Sequence, residues 1–327
     1  MYYIILLVLS FFLTFYIKNY YIKNALLDEV NERSSHSVPT PHGGGIAIAF
    51  TWFIGILYLF YINEIDVSLF YALLVGIIIS VVSFFDDIYE LSAKLRMIVQ
   101  SLVSIGGIYL LGGIEYLDFG LFIIENKIIT NIFGFLLIVW FINLYNFLDG
   151  INGYAGSEAV FLSVAGLILF GGSHFVILLV AVLGFLYWNW NKAKIFMGDV
   201  GSTLLGYNVA IFTLYYTNQE SSNFWIWIIL FGLFWFDATL TLIRRKLNGE
   251  KLSQAHNKHA YQRLTQSGWT HCQVSSWSIV VNISLFLLVY FISNIFIAFF
   301  IAILLLYITM KFVDSKKSFE KEIKKDI

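Results

Sequence analysis

Cysteine and charge are what this sequence is short of. Its single cysteine, Cys272, excludes an intramolecular disulfide and any thiolate metal cluster. Charged residues make up only 13% of the 327 positions, far from the balance of a soluble domain. The formal net charge is −1, and the basic residues are spread through short loops instead of gathered on one face, which argues against nucleic acid as a partner. No internal repeat of fixed period is found, and no soluble domain of useful size remains once the apolar runs are set aside. What the chain does have is apolar bulk: 59% of it is hydrophobic, with 32 Phe, 20 Tyr and 9 Trp. The class this implies is an all-α polytopic membrane protein.

A span needs about 20 apolar residues, somewhat fewer in a thin bilayer. Eleven runs qualify, near 2–17, 44–62, 67–85, 97–113, 130–148, 155–172, 174–190, 201–217, 223–243, 275–292 and 295–311. Ten is the competing count, because only Ser293 and Asn294 separate the last two runs. The first run lacks a basic start and a small-residue cleavage site, and Lys18 and Lys23 follow it, so it reads as a retained span. With residue 1 outside, every Lys and Arg except Lys127 falls on the inner face. Positive charge collects on the cytoplasmic side of membrane proteins, which fixes the orientation. Ten spans would expose the tail KKSFEKEIKKDI, so charge favours eleven. The expected organisation is one membrane domain, 1–313, and a basic cytoplasmic tail, 314–327. The outer connection 114–129 alternates apolar and polar residues around Gly120 and predicts a small hairpin.

Five stretches are more than linkers: ERSSHSVPTPHGGG (32–45), FFDDIYELSAKLR (84–96), NLYNFLDGINGYAG (143–156), NWNKAKIFMGDVGS (189–202) and RRKLNGEKLSQAHNKHAYQRL (244–264). One topology puts all five on the cytoplasmic face. Acids near a membrane are expensive and usually functional. Asp86, Asp87, Asp149 and Asp199, with Asn143 and Asn146, are hard oxygen donors, and there are no matching Cys or His pairs for zinc. That set suits magnesium, which is usually held by one or two carboxylates plus substrate phosphates; manganese is the other candidate. Lys94, Arg96, Lys194, Arg244, Arg245 and Arg263 can take anionic oxygens, and the glycines at 43–45, 150, 153, 198 and 201 permit close backbone approach or positive φ. Each piece also has a bland reading. Asp199 can be a helix cap, His259 a solvated loop residue, the triglycine a packing surface and Arg244–Arg245 a membrane anchor. The conjunction of all five on one face describes a phosphate-handling site.

The motifs DD followed by K-x-R, N-x-x-N-x-x-DG-x-NG-x-AG, N-x-x-x-AK-x-FMGD-x-GS and a last loop with H-x-x-H resemble the polyprenyl-phosphate N-acetylhexosamine-1-phosphate transferases. The resemblance covers residues 30–264, and the pairing of FMGDVGS with NFLDGINGYAG is highly specific. RSSHSVPTP-x-GGG with AHNKHAYQRL looks most like members that start O-antigen or similar surface glycans, some of which use 6-deoxy sugars such as FucNAc or QuiNAc. The resemblance implies a multi-pass enzyme of the bacterial inner membrane with a cytoplasmic active site and room for a homodimer. In it undecaprenyl phosphate attacks the β-phosphorus of a UDP-N-acetylhexosamine and UMP leaves. By the same resemblance Asp199 is a magnesium ligand, joined by Asn146. Phe196 stacks on uracil, Asn152 reads its edge, and Asn189, Lys94, Arg96 and Arg263 belong to the substrate-binding set. Asp86, Asp87, Asp149 and His259 form the catalytic set. Lys192 stands where the family usually has proline, and Tyr261 and Gln262 follow His259 where several branches double the histidine.

The second pKa of a phosphate monoester is near ~6, so the acceptor is mostly a dianion already. Bringing two anions together is the harder task. This favours a single displacement, with Asp86 or Asp87 orienting the acceptor, over a covalent intermediate at Asp149. A cation-coupled transporter would also place acids among spans, but nearer mid-bilayer and in inverted repeats. A prenyltransferase would need a second Asp-rich motif.

Overall fold

The computed structural model describes residues 1–24, 27–28, 39–252, 254 and 256–319. Residues 32–38 of the first polar stretch and 320–327 of the tail lie outside the described residues. Backbone N–H and C=O groups in lipid must be paired within the segment, so the apolar runs become helices. They are α1 (Tyr2–Lys23), α2 (Gly44–Tyr61), α3 (Val67–Leu74), α4 (Gly76–Tyr89), α5 (Ala93–Leu110), α6 (Lys127–Phe147), α7 (Tyr154–Phe170), α8 (Ser173–Asn189), α9 (Asp199–Gln219), α10 (Ser222–Leu230), α11 (Gly232–Leu247), α12 (Ala260–Gln266), α13 (His271–Phe291) and α14 (Ile295–Lys316). Two short ribbons complete the fold: β1 (Leu27–Asp28) with β2 (Thr40–Pro41), and β3 (Leu117–Asp118) with β4 (Ile123–Ile124), both antiparallel. The second ribbon is the hairpin expected around Gly120, whose φ is +77°.

Each apolar run lies on one helix or on two in succession. By length and apolarity, six of the described helical segments can cross a membrane, α3 and α4 counting as the single stretch Val67–Tyr89, and seven can if α10 and α11 are one span bent by 74°. α7 and α8 are apolar but shorter. α5 carries Lys94, Arg96 and Gln100 in its first turns. α9 carries Asp199, Asn208 and several threonines. The protein is therefore an all-α polytopic membrane protein with six or seven span-capable helices by this measure.

α9 is the axis of the bundle. It packs against α2, α3, α4, α6, α7 and α10, and every residue from Val200 to Thr217 except Tyr215 is buried. A helix enclosed by protein has no need to be lipophilic all round. Gly206 lets α6 approach closely, since a methyl there would sit 2.9 Å from the Ile142 Cα. Tyr207 donates to the Ala72 carbonyl at 2.7 Å, tying α9 to α3. Around this axis α1, α5 and α14 expose large apolar side chains such as Phe12, Leu102 and Phe300. The helix ends that carry the five polar stretches gather at one end of the bundle. There α14 runs to Lys316, past the boundary expected at 313, and Asp314 on its last turn pairs with Arg244 and Arg263.

Candidate active site

The site begins with a backbone fit. Gly43 has φ +99°, a left-handed conformation that favours glycine. The next two N–H groups donate into the FMGD loop, Gly44 to the Phe196 carbonyl at 2.9 Å and Gly45 to the Met197 carbonyl at 2.7 Å. A methyl on Gly45 would lie 2.5 Å from the Gly201 Cα. The triglycine thus cradles protein backbone, and its packing reading is the one the structure bears out. It fixes the start of α9, and with it Asp199.

The adjacent acids at the end of α4 serve different partners, because neighbouring helical residues point about 100° apart. Asp86 is buried: Oδ1 accepts the Leu91 N–H at 2.7 Å and Oδ2 accepts from Arg96 Nη1 at 3.0 Å. Asp87 turns to α9, where Oδ1 accepts the Asp199 N–H at 3.2 Å, a favourable place for an anion at a helix N-terminus. Its Oδ2 is buried without a hydrogen-bond partner. Asp199 Oδ1 accepts from Asn146 Nδ2 at 2.8 Å, and its Oδ2 lies 3.9 Å from Arg96 Nη1. Arg96 therefore stands between two carboxylates. On α6, Asn143 Nδ2 donates to Gln100 Oε1 at 2.7 Å. A cavity of about 130 Å³ between α4, α5, α6 and α9 is lined by Asp86, Arg96, Gln100, Asn143, Asn146 and Asp199, among others.

Two loops flank it. Asp149 lies half-buried between α6 and α7; burial, then the charges of Asp199 and Asp87, push its carboxyl well above the usual range. Asn189 ties this loop to the FMGD loop: its Oδ1 accepts the Gly153 N–H and its Nδ2 donates to the Ile195 carbonyl, both at 2.9 Å. Phe196 and Asn152 are half-buried, one in each loop, and Lys94 is exposed on the first turn of α5. The last loop covers the first of these. Tyr261 donates to the Phe147 carbonyl at 3.2 Å, and its ring fills the space where a side chain at Gly150 would go.

His259 is buried, with Nδ1 3.7 Å from Asp237 Oδ1, while Asp237 accepts the Ala260 N–H at 2.9 Å. Arg263 is engaged elsewhere. Its Nη1 donates to Asp314 Oδ1 at 2.7 Å and to the Lys317 carbonyl at 2.9 Å. The structure thus brings Asp86, Arg96, Asn146 and Asp199 into one cavity with Asp87 behind it. Asp149, Asn152 and Phe196 sit in the adjoining loops, Asn189 at the end of α8 joins those loops, and His259 and Arg263 lie in the covering segment. Two buried acids escaped the sequence reading, Asp237 and Glu158. Each is a lone carboxylate inside an apolar run, and that was the available signal.

Among the described residues no three His, Cys, Asp or Glu side chains converge as a metal cage. A magnesium ion shared with substrate phosphates needs only one or two carboxylates. Asp199, partly exposed to the cavity with Asn146 beside it, fits that modest requirement, while the unpartnered Asp87 Oδ2 is buried behind it.

The fold and the site together define a polytopic helical membrane protein with an acid-lined polar cavity at one end of its bundle. Residues 69–217 match the family described as Glycosyl transferase family 4. A Bacillus subtilis protein named "Probable undecaprenyl-phosphate N-acetylglucosaminyl 1-phosphate transferase" is 31% identical over 269 residues, covering 78% of this chain and 74% of its own. Proteins of Salmonella typhi and Thermotoga maritima, both named undecaprenyl-phosphate alpha-N-acetylglucosaminyl 1-phosphate transferase, are 28% and 25% identical over 278 and 287 residues. These matches span 77% and 84% of this chain, and 72% and 86% of theirs. The chain belongs to the polyprenyl-phosphate N-acetylhexosamine-1-phosphate transferases of glycosyl transferase family 4.

Proposed function

We propose that this protein transfers an N-acetylhexosamine 1-phosphate from a UDP-sugar to undecaprenyl phosphate and so starts a surface glycan of the O-antigen kind. The observation that carries it is that Asp86, Arg96, Asn146 and Asp199 share one cavity where α4 and α6 end and α5 and α9 begin. α5 and α6 also flank an apolar groove of about 680 Å³ toward the opposite end of the bundle, lined by Ile105, Ile108, Ile128, Ile132 and Phe135, which suits a hydrocarbon chain. The sugar is GlcNAc, as in the names of the relatives, or a 6-deoxy-N-acetylhexosamine.

In the reaction an oxygen of the acceptor phosphate bonds to the β-phosphorus, the bond from that phosphorus to the bridging oxygen breaks, and UMP departs with its electron pair. Arg96 offsets the charge of the approaching phosphates, and Asp86 holds Arg96 in place. Asp87 fixes the first turn of α9, and Asp199 with Asn146 would hold magnesium. When bound, that ion supplies charge neutralisation on the diphosphate. Phe196 and Asn152 receive the uracil from the two loops, Asn189 keeps those loops in register, and Lys94 and His259 complete the anion-facing side, while Arg263 anchors the covering segment through Asp314. Asp149 contributes a carboxyl near the acceptor without a covalent role. Eleven spans, with the site on the cytoplasmic face of the inner membrane, complete the reading. Membranes carrying the protein, incubated with undecaprenyl phosphate, magnesium and a panel of UDP-N-acetylhexosamines, should yield a polyprenyl-diphospho-sugar and equimolar UMP. No lipid product from any donor, with gradient-driven uptake in vesicles instead, would replace the enzyme with a transporter.

A further inference from the structure

α13 supplies none of the residues used so far, yet it holds the loop before α7 at several heights. At its first residue, His271 Nδ1 accepts the Asn152 N–H at 3.4 Å. One turn on, Ser275 Oγ donates to the Asn152 carbonyl at 3.0 Å. Two turns deeper, Asn282 Nδ2 donates to Glu158 Oε2 of α7 at 2.5 Å. Positions 271, 275 and 282 follow the spacing of one helix face. Both peptide groups flanking the Asn152 Cα are thereby gripped from α13. Among the described residues the Asn152 side-chain amide has no protein hydrogen bond.

The lower contact is of a kind proteins keep for a reason. Glu158 and Asn282 are each only 1% exposed, and a carboxyl within an apolar helix is costly unless paired. Glu158 Oε1 and Asn282 Oδ1 are both buried without partners, so the pair is held by one strong bond and tolerates little displacement. The loop it steadies contains Gly150 and Gly153, the latter with φ +75°, and would otherwise sample many conformations.

We infer that α13 is the positioning helix for the base-reading loop: His271 and Ser275 set the Asn152 backbone, and the Glu158–Asn282 bond pins α13 to α7 beneath it. Selectivity for the nucleotide base then depends on residues that never touch the donor. The functional half rests on the reading of Asn152 as facing uracil; the mechanical half does not.

The test uses full-length enzyme in lipid nanodiscs. His271→Ala or Ser275→Ala should raise KM for the UDP-sugar about fivefold each, with kcat within about twofold and KM for undecaprenyl phosphate unchanged, the size expected for one lost hydrogen bond. Discrimination against a CDP-sugar should fall in parallel. Ser275→Thr and His271→Asn keep a donor and an acceptor and should restore most of the donor affinity. Glu158→Gln should behave like the native protein, because its amide still accepts from Asn282 and adds an N–H for the unpartnered Asn282 Oδ1. Glu158→Leu should copy the His271→Ala pattern. Hydrogen exchange of the peptide spanning 149–153 supplies the second readout: it should quicken in the alanine variants while α8 stays protected. Quickened exchange with an unchanged donor KM would overturn the base-reading role and leave the clamp. Unchanged exchange would overturn the clamp itself. A native enzyme inactive on every UDP-sugar would sink the parent reading, with the exchange experiment still deciding the mechanical half.

Discussion

Asp199 gathers most of the site's contacts: Asn146 on one oxygen, Arg96 near the other and Asp87 on its own N–H. Asp199→Asn keeps the shape and removes the charge that a divalent ion shared with substrate would need. Expression and thermal stability should be retained while UMP release falls to background; near-normal turnover at ordinary magnesium would remove Asp199 from the metal. Phe196→Ala should weaken the donor instead, since base stacking is worth about 1–3 kcal/mol, or about 5- to 150-fold in apparent affinity. A UMP titration would show it directly. The sequence makes the acid pair visible but not its division of labour, because that depends on which helix end each carboxylate meets. It also gives Arg263 the look of a substrate ligand. Its guanidinium is committed to Asp314, a residue far along the chain, and no local pattern reveals such a partner. Lys192 has φ 59°, which a proline ring fixed at about −65° cannot adopt, so the turn before the FMGD loop excludes proline at this position.

Among elements, the join between the start of α2 and the start of α9 carries the most consequence. Gly45→Ala would push a methyl into the backbone of Gly201, and neither backbone can yield without moving a helix. Overpacking of this kind costs about 1–3 kcal/mol, so a lower melting temperature in detergent should accompany loss of transfer. A variant as stable and active as the native enzyme would show that the two helix starts can part at no cost. This join was half legible: the glycines announced a close approach, but whether to phosphate or to protein was a matter of what the chain folds against. The hairpin between α5 and α6 was fully legible, since alternation and a central glycine are local signals.

At the scale of the whole molecule, the positions of the apolar runs were readable because a bilayer imposes its own period on sequence. The number that cross was less so, as α5, α7, α8 and α9 are short or polar. Impermeant thiol labelling in intact cells settles it. In a Cys272→Ser background, Glu125→Cys, exposed in the connection before α6, should be labelled, and Ser318→Cys, exposed after α14, should be shielded. Labelling at 318 alone would restore the ten-span count. Shielding at 125 would invert the protein and place the cavity on the side without nucleotide sugars.

The polarity of α9 has a consequence for how the protein is made. A segment with an aspartate, two asparagines and three threonines partitions poorly into lipid by itself, so the insertion machinery has little reason to release it sideways unescorted. Synthesis runs from the N-terminus, and of the helices that enclose α9 only α10 follows it. The nascent chain therefore has most of a proteinaceous socket assembled before its least lipophilic core helix emerges, and the cavity comes into being at the moment that socket is filled.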